Sequence, residues 1–218
     1  MKVELIDSAG GDLSIVNSAR VSFDKESNYD PEEENGLCLR DRKLIKYLAE
    51  HQHMTPFRHN FIQLRCSVPL FLARQLMKHQ AGLTWNEVSR RYVDEMPKFH
   101  IPSEWRSRPK DGIKQGSGEP VGCQSYISAI YGKYIEGCEG YYKELLAQGV
   151  APEMARMVLP QSMMVDFIWS GNLLAFSHVY NLRSGEGAQV EAREFAELLS
   201  KEIASEFPVG WEALTLGA

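Results

Sequence analysis

The sequence predicts an α+β fold, a mixed or antiparallel sheet packed with helices in a single domain spanning 1–218. Two observations carry this. Phe61–Val68 and Met163–Trp169 alternate apolar and polar residues, as half-buried strands do, and each runs straight into a helix-forming segment. Elsewhere apolar residues recur at helical spacing, with no G-x-G-x-x-G and no P-loop to signal a dinucleotide-binding or kinase-like site. A chain of 218 residues, 44% hydrophobic and 24% charged, has ample material for one core.

In order, residues 2–7 read as a short strand, and Asp12 or Ser14 is placed to cap a helix through Ala19. Residues 24–36 are an acidic loop. Leu44, Ile45 and Leu48 give 39–50 an amphipathic helix, broken at His51–Phe57, where Pro56 disfavours helix at Thr55. After strand 61–68, Pro69 suits the first turn of a helix with Leu70, Phe71, Ala73, Leu76 and Met77 on its apolar face. That helix is expected to stop near Ala81-Gly82, since glycine accepts the left-handed conformation. Thr84–Tyr92 reads as a polar loop, packed down by Trp85, Val88 and Tyr92. Residues 93–105 are irregular and 106–120 form a mobile loop rich in Gly, Pro and Ser. A long helix covers 124–148, where Gly132, Gly137 and Gly140 mark close packing against another element. Pro152 opens a short helix ending before Pro160. Met163–Trp169 admits a helical reading too, but Ser170-Gly171-Asn172 looks like a break and a new helix start, so strand is preferred. The helix from Asn172 ends near Gly185-Glu186-Gly187, and a last amphipathic helix buries Ala192, Phe195, Leu199 and Ile203.

Charge is concentrated in one place. Between Arg74 and Tyr92 lie Arg74, Gln75, Lys78, His79, Asn86, Glu87, Ser89, Arg90 and Arg91. Such a cluster is usually a solvated helix end, but this density of cations and donors suits a small polyanionic ligand. A net charge of −5 argues against general nucleic-acid binding. No apolar run is long enough to span a bilayer and the N-terminus is no signal peptide, so a cytoplasmic protein is expected. Cys38, Cys66, Cys123 and Cys138 have no C-x-x-C spacing and no evident partner base. His51, His53 and His59 lack a carboxylate at fixed spacing, so no metal site is expected.

The stretch Lys78-His79-Gln80, eight residues, then Ser89, with Asn86-Glu87 before and Arg91-Tyr92 after, resembles the signature of flavin-dependent thymidylate synthases. That family has Arg-His-Arg, seven residues, then Ser. The likeness extends over most of the chain apart from 106–120. His51–His59 resembles the segment around the family's flavin-binding His and Thr, here His53 and Thr55. Ala155–Pro160 resembles the segment whose Arg, here Arg156, grips the nucleotide, and Asn172–Arg183 resembles the helix that contacts flavin.

The resemblance implies conversion of dUMP to dTMP, with FAD as cofactor and NADPH and 5,10-methylenetetrahydrofolate as co-substrates. It assigns Gln75, Lys78, Glu87, Ser89, Arg90, Arg91 and Arg156 to the nucleotide, and Arg183 to nucleotide binding and activation of the uracil ring. It assigns His53, Thr55, Lys78, His79, Gln80, Glu87, Asn172, Leu174 and His178 to flavin. It also implies a homotetramer with sites between subunits and no protein nucleophile. There is accordingly no Pro-Cys-His of the cysteine-dependent synthases. Taken alone, Asn172 is more often a helix cap, Arg156 a salt-bridge residue, and Arg183 a charge at a helix C-terminus. Lys78 and Gln80 stand where the family has Arg, Leu174 where many members have Arg, and His178 where many have Asn. Two other readings stay open: flavin-dependent C5 modification to another product, such as a hydroxymethylated nucleotide, and a non-catalytic nucleotide-binding homo-oligomer.

Overall fold

The computed structural model describes residues 1–109 and 116–215. Its sheet contains β1 (Lys2–Ala9), β2 (Phe61–Pro69), β3 (Leu83–Glu87) and β4 (Met164–Gly171), in the order β1-β2-β4-β3, with every pairing antiparallel. The helices are α1 (Asp12–Arg20), α2 (Leu39–Glu50), α3 (Leu70–Leu76), α4 (Gln124–Ala147), α5 (Pro152–Ala155), α6 (Leu173–Arg183), α7 (Val190–Glu206) and α8 (Pro208–Thr215).

Alternation in the two central strands sorts their side chains by face. Ile62, Leu64, Cys66 and Val68 of β2, with Val165, Phe167 and Trp169 of β4, point into the core, while Arg65 and Asp166 point to solvent. Trp169 is fully buried at the centre, edge-on to Phe176 at 5.4 Å and near Phe195 at 6.3 Å. The predicted face of α7 is buried as read: Ala192, Phe195, Leu199 and Ile203 all have zero exposure.

Several expectations are corrected. Thr84–Glu87 is strand rather than loop, because β3 pairs with β4 from Leu83–Gly171 to Glu87–Phe167 and Trp85 stacks on Phe167 at 3.5 Å. Partial burial of one indole and a ladder of backbone bonds outweigh the polar composition. Val88 and Tyr92 are exposed, so only the Trp85 end is packed down. The helix expected to reach Ala81 ends at Leu76. The chain then turns through Gly82 at φ +75°, where a Cβ would lie 3.1 Å from Asn172 Nδ2 and 3.2 Å from Ala175 Cβ. Gly132, Gly137 and Gly140 meet nothing within 4 Å of a built Cβ, so they mark no close packing within this chain. Instead α4 buries only Ile135, Cys138 and Tyr142 and exposes Tyr126, Ile130, Tyr134 and Tyr141.

Asp12 does not cap α1. Its buried carboxylate accepts from Val209 N and Gly210 N, both at 2.8 Å, and so caps α8, a helix absent from the sequence reading. The loop expected at 106–120 is described only at its flanks, where Ser107 N donates to Glu119 O and Gly118 N to Ser107 O; residues 110–115 lie outside the described residues. Among the described residues no helix is long and apolar enough to cross a membrane.

Candidate active site

The end of α3 and the end of α6 converge. Arg183 Nη2 donates to the Gln75 carbonyl at 3.1 Å, and Arg183 Nε donates to His79 Nε2 at 3.1 Å. A guanidinium only donates, so Nε2 of His79 accepts and the neutral ring carries its proton on Nδ1. Burial, then the charges of Arg183 and His178, hold His79 below its ordinary value, which agrees with that neutral form. Burial likewise lowers Arg183. Gln75 Nε2 donates to Gln189 Oε1 at 2.8 Å, a partner the sequence reading missed because no spacing links the opening of α7 to α3. Lys78 and Gln80 flank His79 and are exposed. Gln75, Lys78, His79, Gln80 and Arg183 therefore form one group.

Glu87, which ends β3, and Ser89, Arg90 and Arg91 just beyond it form another. The length of β3 sets the two groups apart, roughly 16 Å of extended chain. Ser89 Oγ accepts from Arg91 N and Nε, both at 3.3 Å, and the Arg91 guanidinium lies 4.8 Å from the Tyr92 ring centroid. Arg90 is turned to the Glu95 carbonyl, and Trp85 Nε1 donates to Glu87 at 3.3 Å. Arg156 sits exposed on the turn after α5, its Nε donating to Glu153 O at 3.2 Å. Among the described residues no hydrogen bond joins Arg156 or this second group to the first.

The flavin candidates divide similarly. His53 and Thr55 are exposed after α2, and His53 lines a cleft of about 700 Å³ with Phe23, Arg40, Lys43 and Tyr47. Tyr47 lies near-parallel to His53, 6.3 Å away. Asn172 caps α6, its Oδ1 accepting from Ala175 N at 2.9 Å, so the commonplace reading of that residue holds. His178 is exposed on α6. Leu174 is 4% exposed and packed in the core. Among the described residues no cluster of His, Cys, Asp and Glu is placed to hold a metal. Cys66 is buried and burial pushes its thiol well up, unlike a thiolate nucleophile.

Residues 4–209 match the family model described as thymidylate synthase complementing protein. A flavin-dependent thymidylate synthase of Kosmotoga olearia is 36% identical over 215 residues, covering 97% of this chain and 88% of its own. That of Thermus thermophilus is 32% identical over 211 residues, covering 97% and 74%. Among solved structures, a UMP/dUMP methylase, PolB from Streptomyces cacaoi bound with 5-Br dUMP, superposes with a TM-score of 0.84 at 30% identity, covering 99% of this chain and 94% of that one. The same methylase bound with 5-Br UMP gives 0.83.

Proposed function

The chain belongs to the flavin-dependent thymidylate synthase family, and from that premise we propose that it methylates dUMP at C5 to give dTMP, with methylenetetrahydrofolate as carbon donor and NADPH-reduced FAD as hydride donor. The observation that carries the reading is the Gln75–His79–Arg183 cluster, which aims a half-buried guanidinium from one rigid helix end. A uracil ring accepts carbon and hydride poorly until electron density is pushed toward C5. Arg183 beside its O2/N3/O4 edge stabilises the anionic ring as charge develops and remains cationic itself.

Gln75 and Lys78 hold the nucleotide from the Arg183 side, and Glu87, Ser89, Arg90, Arg91 and Arg156 from the other. These groups lie apart on one chain, so they meet between copies in a homotetramer. The exposed Tyr126, Ile130, Tyr134 and Tyr141 of α4 supply an apolar face for such self-association. His53, Thr55, Lys78, His79, Gln80, Glu87, Asn172 and His178 face FAD. Exposed cations and donors at 78–80 suit its diphosphate, and the Tyr47–His53 cleft with Arg40 and Lys43 suits a planar ring beside anionic groups. Bound FAD supplies the hydride; the protein orients the reactants and stabilises charge. The four free thiols fit a cytoplasmic setting.

Anaerobic incubation with NADPH, methylenetetrahydrofolate and dUMP, followed by mass analysis of the nucleotide, tests the reaction. Gain of a methyl group is expected, whereas a hydroxymethyl product or unchanged dUMP would overturn it. UMP is the informative second substrate, given the likeness to a UMP/dUMP methylase.

Two variants test the groups separately. Arg91→Ala is expected to weaken dUMP far more than deoxyuridine, by about 1.5–3 kcal/mol for one charge-assisted bond to phosphate, and Ser89→Ala to do so more mildly. Equal losses for nucleoside and nucleotide would remove both from the phosphate site. Gln80→Arg, restoring the family's second Arg, is expected to tighten FAD by a similar 1.5–3 kcal/mol without changing dUMP affinity. Flavin titration showing no gain would count against the placement of position 80.

A further inference from the structure

The bond between Gln75 and Gln189 links the Arg183 cluster to the start of α7, and it has a direction. Gln75 Nε2 donates and Gln189 Oε1 accepts, at 2.8 Å. A glutamine amide has a donor end and an acceptor end of nearly the same shape, on a last torsion that is broad and two-fold. A free Gln75 would therefore present either end to a ligand. Its surroundings set the order instead. The Gln189 backbone is fixed at the opening of α7, where its carbonyl accepts from Ala192 N at 2.9 Å and Arg193 N at 3.0 Å. Glu191, two residues along, is 6% exposed, and its Oε1 accepts from Arg106 Nη2 at 2.5 Å. Arg106 is held in turn, its Nε donating to Ser117 Oγ at 2.8 Å.

Burial alone would raise the Glu191 carboxyl, but Arg106 and then the Gln189 amide beside it hold it below its ordinary value. Its Oε2 has no hydrogen-bond partner among the described residues, so the remaining negative charge favours the NH2 end of the neighbouring amide. That leaves Gln189 Oε1 for Gln75, the order observed. We propose that Gln189 is a positioning residue for the nucleotide, holding the Gln75 amide so that its Oε1 and second N–H meet the ligand already oriented. The inference rests on the reading that Gln75 holds the nucleotide. Arg183 grips the Gln75 carbonyl and Gln189 grips its side chain, so both ends of that residue are fixed before a ligand arrives. Polar groups ordered in advance bind more tightly, because binding no longer has to order them. Gln189 acts at one remove and needs no contact with the nucleotide itself.

The test is calorimetric titration of dUMP into the purified full chain, using Gln189→Met, Gln75→Met and the double variant. Methionine keeps the length of the side chain and removes the amide. Gln189→Met is expected to weaken dUMP about fivefold, the size of one neutral hydrogen bond. Gln75→Met should weaken it at least as much. The double variant should lose no more than Gln75→Met alone, because Gln189 acts only through Gln75. A merely structural role for Gln189 would add its own loss. Additive losses, or wild-type affinity in Gln189→Met, overturn the proposal. Wild-type affinity in Gln75→Met overturns it too, by removing Gln75 from the nucleotide site, while mass analysis of the wild-type product decides methylation separately. Absence of dUMP binding by the wild type is failure of the proposed function, and the inference falls with it. Should Gln189→Met melt too low to titrate, Gln189→Ala takes its place.

Discussion

Arg183→Lys is expected to keep part of dUMP binding and lose roughly 3 kcal/mol in the chemical step, about 100-fold in rate, by analogy with removal of one oxyanion donor. The guanidinium already serves two partners on its own chain, His79 through Nε and the Gln75 carbonyl through Nη2. Lysine keeps the charge but concentrates it at one atom, so it cannot hold both partners and still present a flat edge to a ring. Single-turnover oxidation of the reduced enzyme, with dUMP and folate saturating, reads the step directly. A Lys variant at near-wild-type rate would return Arg183 to the role of a helix-end charge. A pH profile adds a second readout. His79 accepts from Arg183 only while neutral, and burial with the two neighbouring charges holds it below 6.5. The Arg183-dependent step should therefore hold through neutrality and fall on the acid side, with its midpoint below 6.5. Replacing His79 with Gln, which keeps an acceptor but does not titrate there, should flatten that acid limb.

Asp12→Ala is expected to cost about 3 kcal/mol of folding stability, since it leaves two buried N–H groups of α8 without an acceptor. The carboxylate packs directly against the start of α8: a Cβ on Gly210 would sit 2.7 Å from Ile15 Cδ1 and 2.9 Å from Asp12 Oδ1. Asp12→Asn keeps one acceptor and should cost about half as much. The pH dependence has an unusual sign for a carboxylate. Burial outweighs the two N–H bonds and raises the carboxyl above its ordinary 3.8. The folded state then binds that proton more tightly than the unfolded state, so this group's contribution is full below about pH 3.8 and is lost as pH rises through the raised folded value. In Asp12→Asn that term is absent, and urea melts between pH 4 and 7 compare the two. An alanine variant within 0.5 kcal/mol of wild type would show that α8 needs no external cap.

Much of this was legible in the chain because it follows from local chemistry. Alternation gave β2 and β4, since a strand's side chains change face at every residue whatever lies beyond it. Helical spacing gave α2 and α7, and Pro69, Gly82 and Asn172 marked the turns around α3 and α6. The charge cluster at 74–92 pointed to an anionic ligand, and its order of residues to the family whose model matches residues 4–209. Those signals are one-dimensional, and each is complete within a few residues.

What the tertiary structure alone decided are pairings between distant segments. Whether Thr84–Glu87 became strand depended on β4 offering a free edge and Phe167 a ring for Trp85, about eighty residues downstream. Asp12 looked like a cap for its own helix but caps one that begins at Pro208, because a carboxylate satisfies whichever unpaired N–H groups the fold brings to it. Leu174 could be matched to a family position in sequence, but only the fold shows that its side chain is packed into the core. Within the candidate site, order along the chain named Gln75, His79 and Arg183 as residues to watch. Only folding joined them, because a hydrogen bond is fixed by distance and direction in space, and 104 residues separate His79 from the guanidinium it holds.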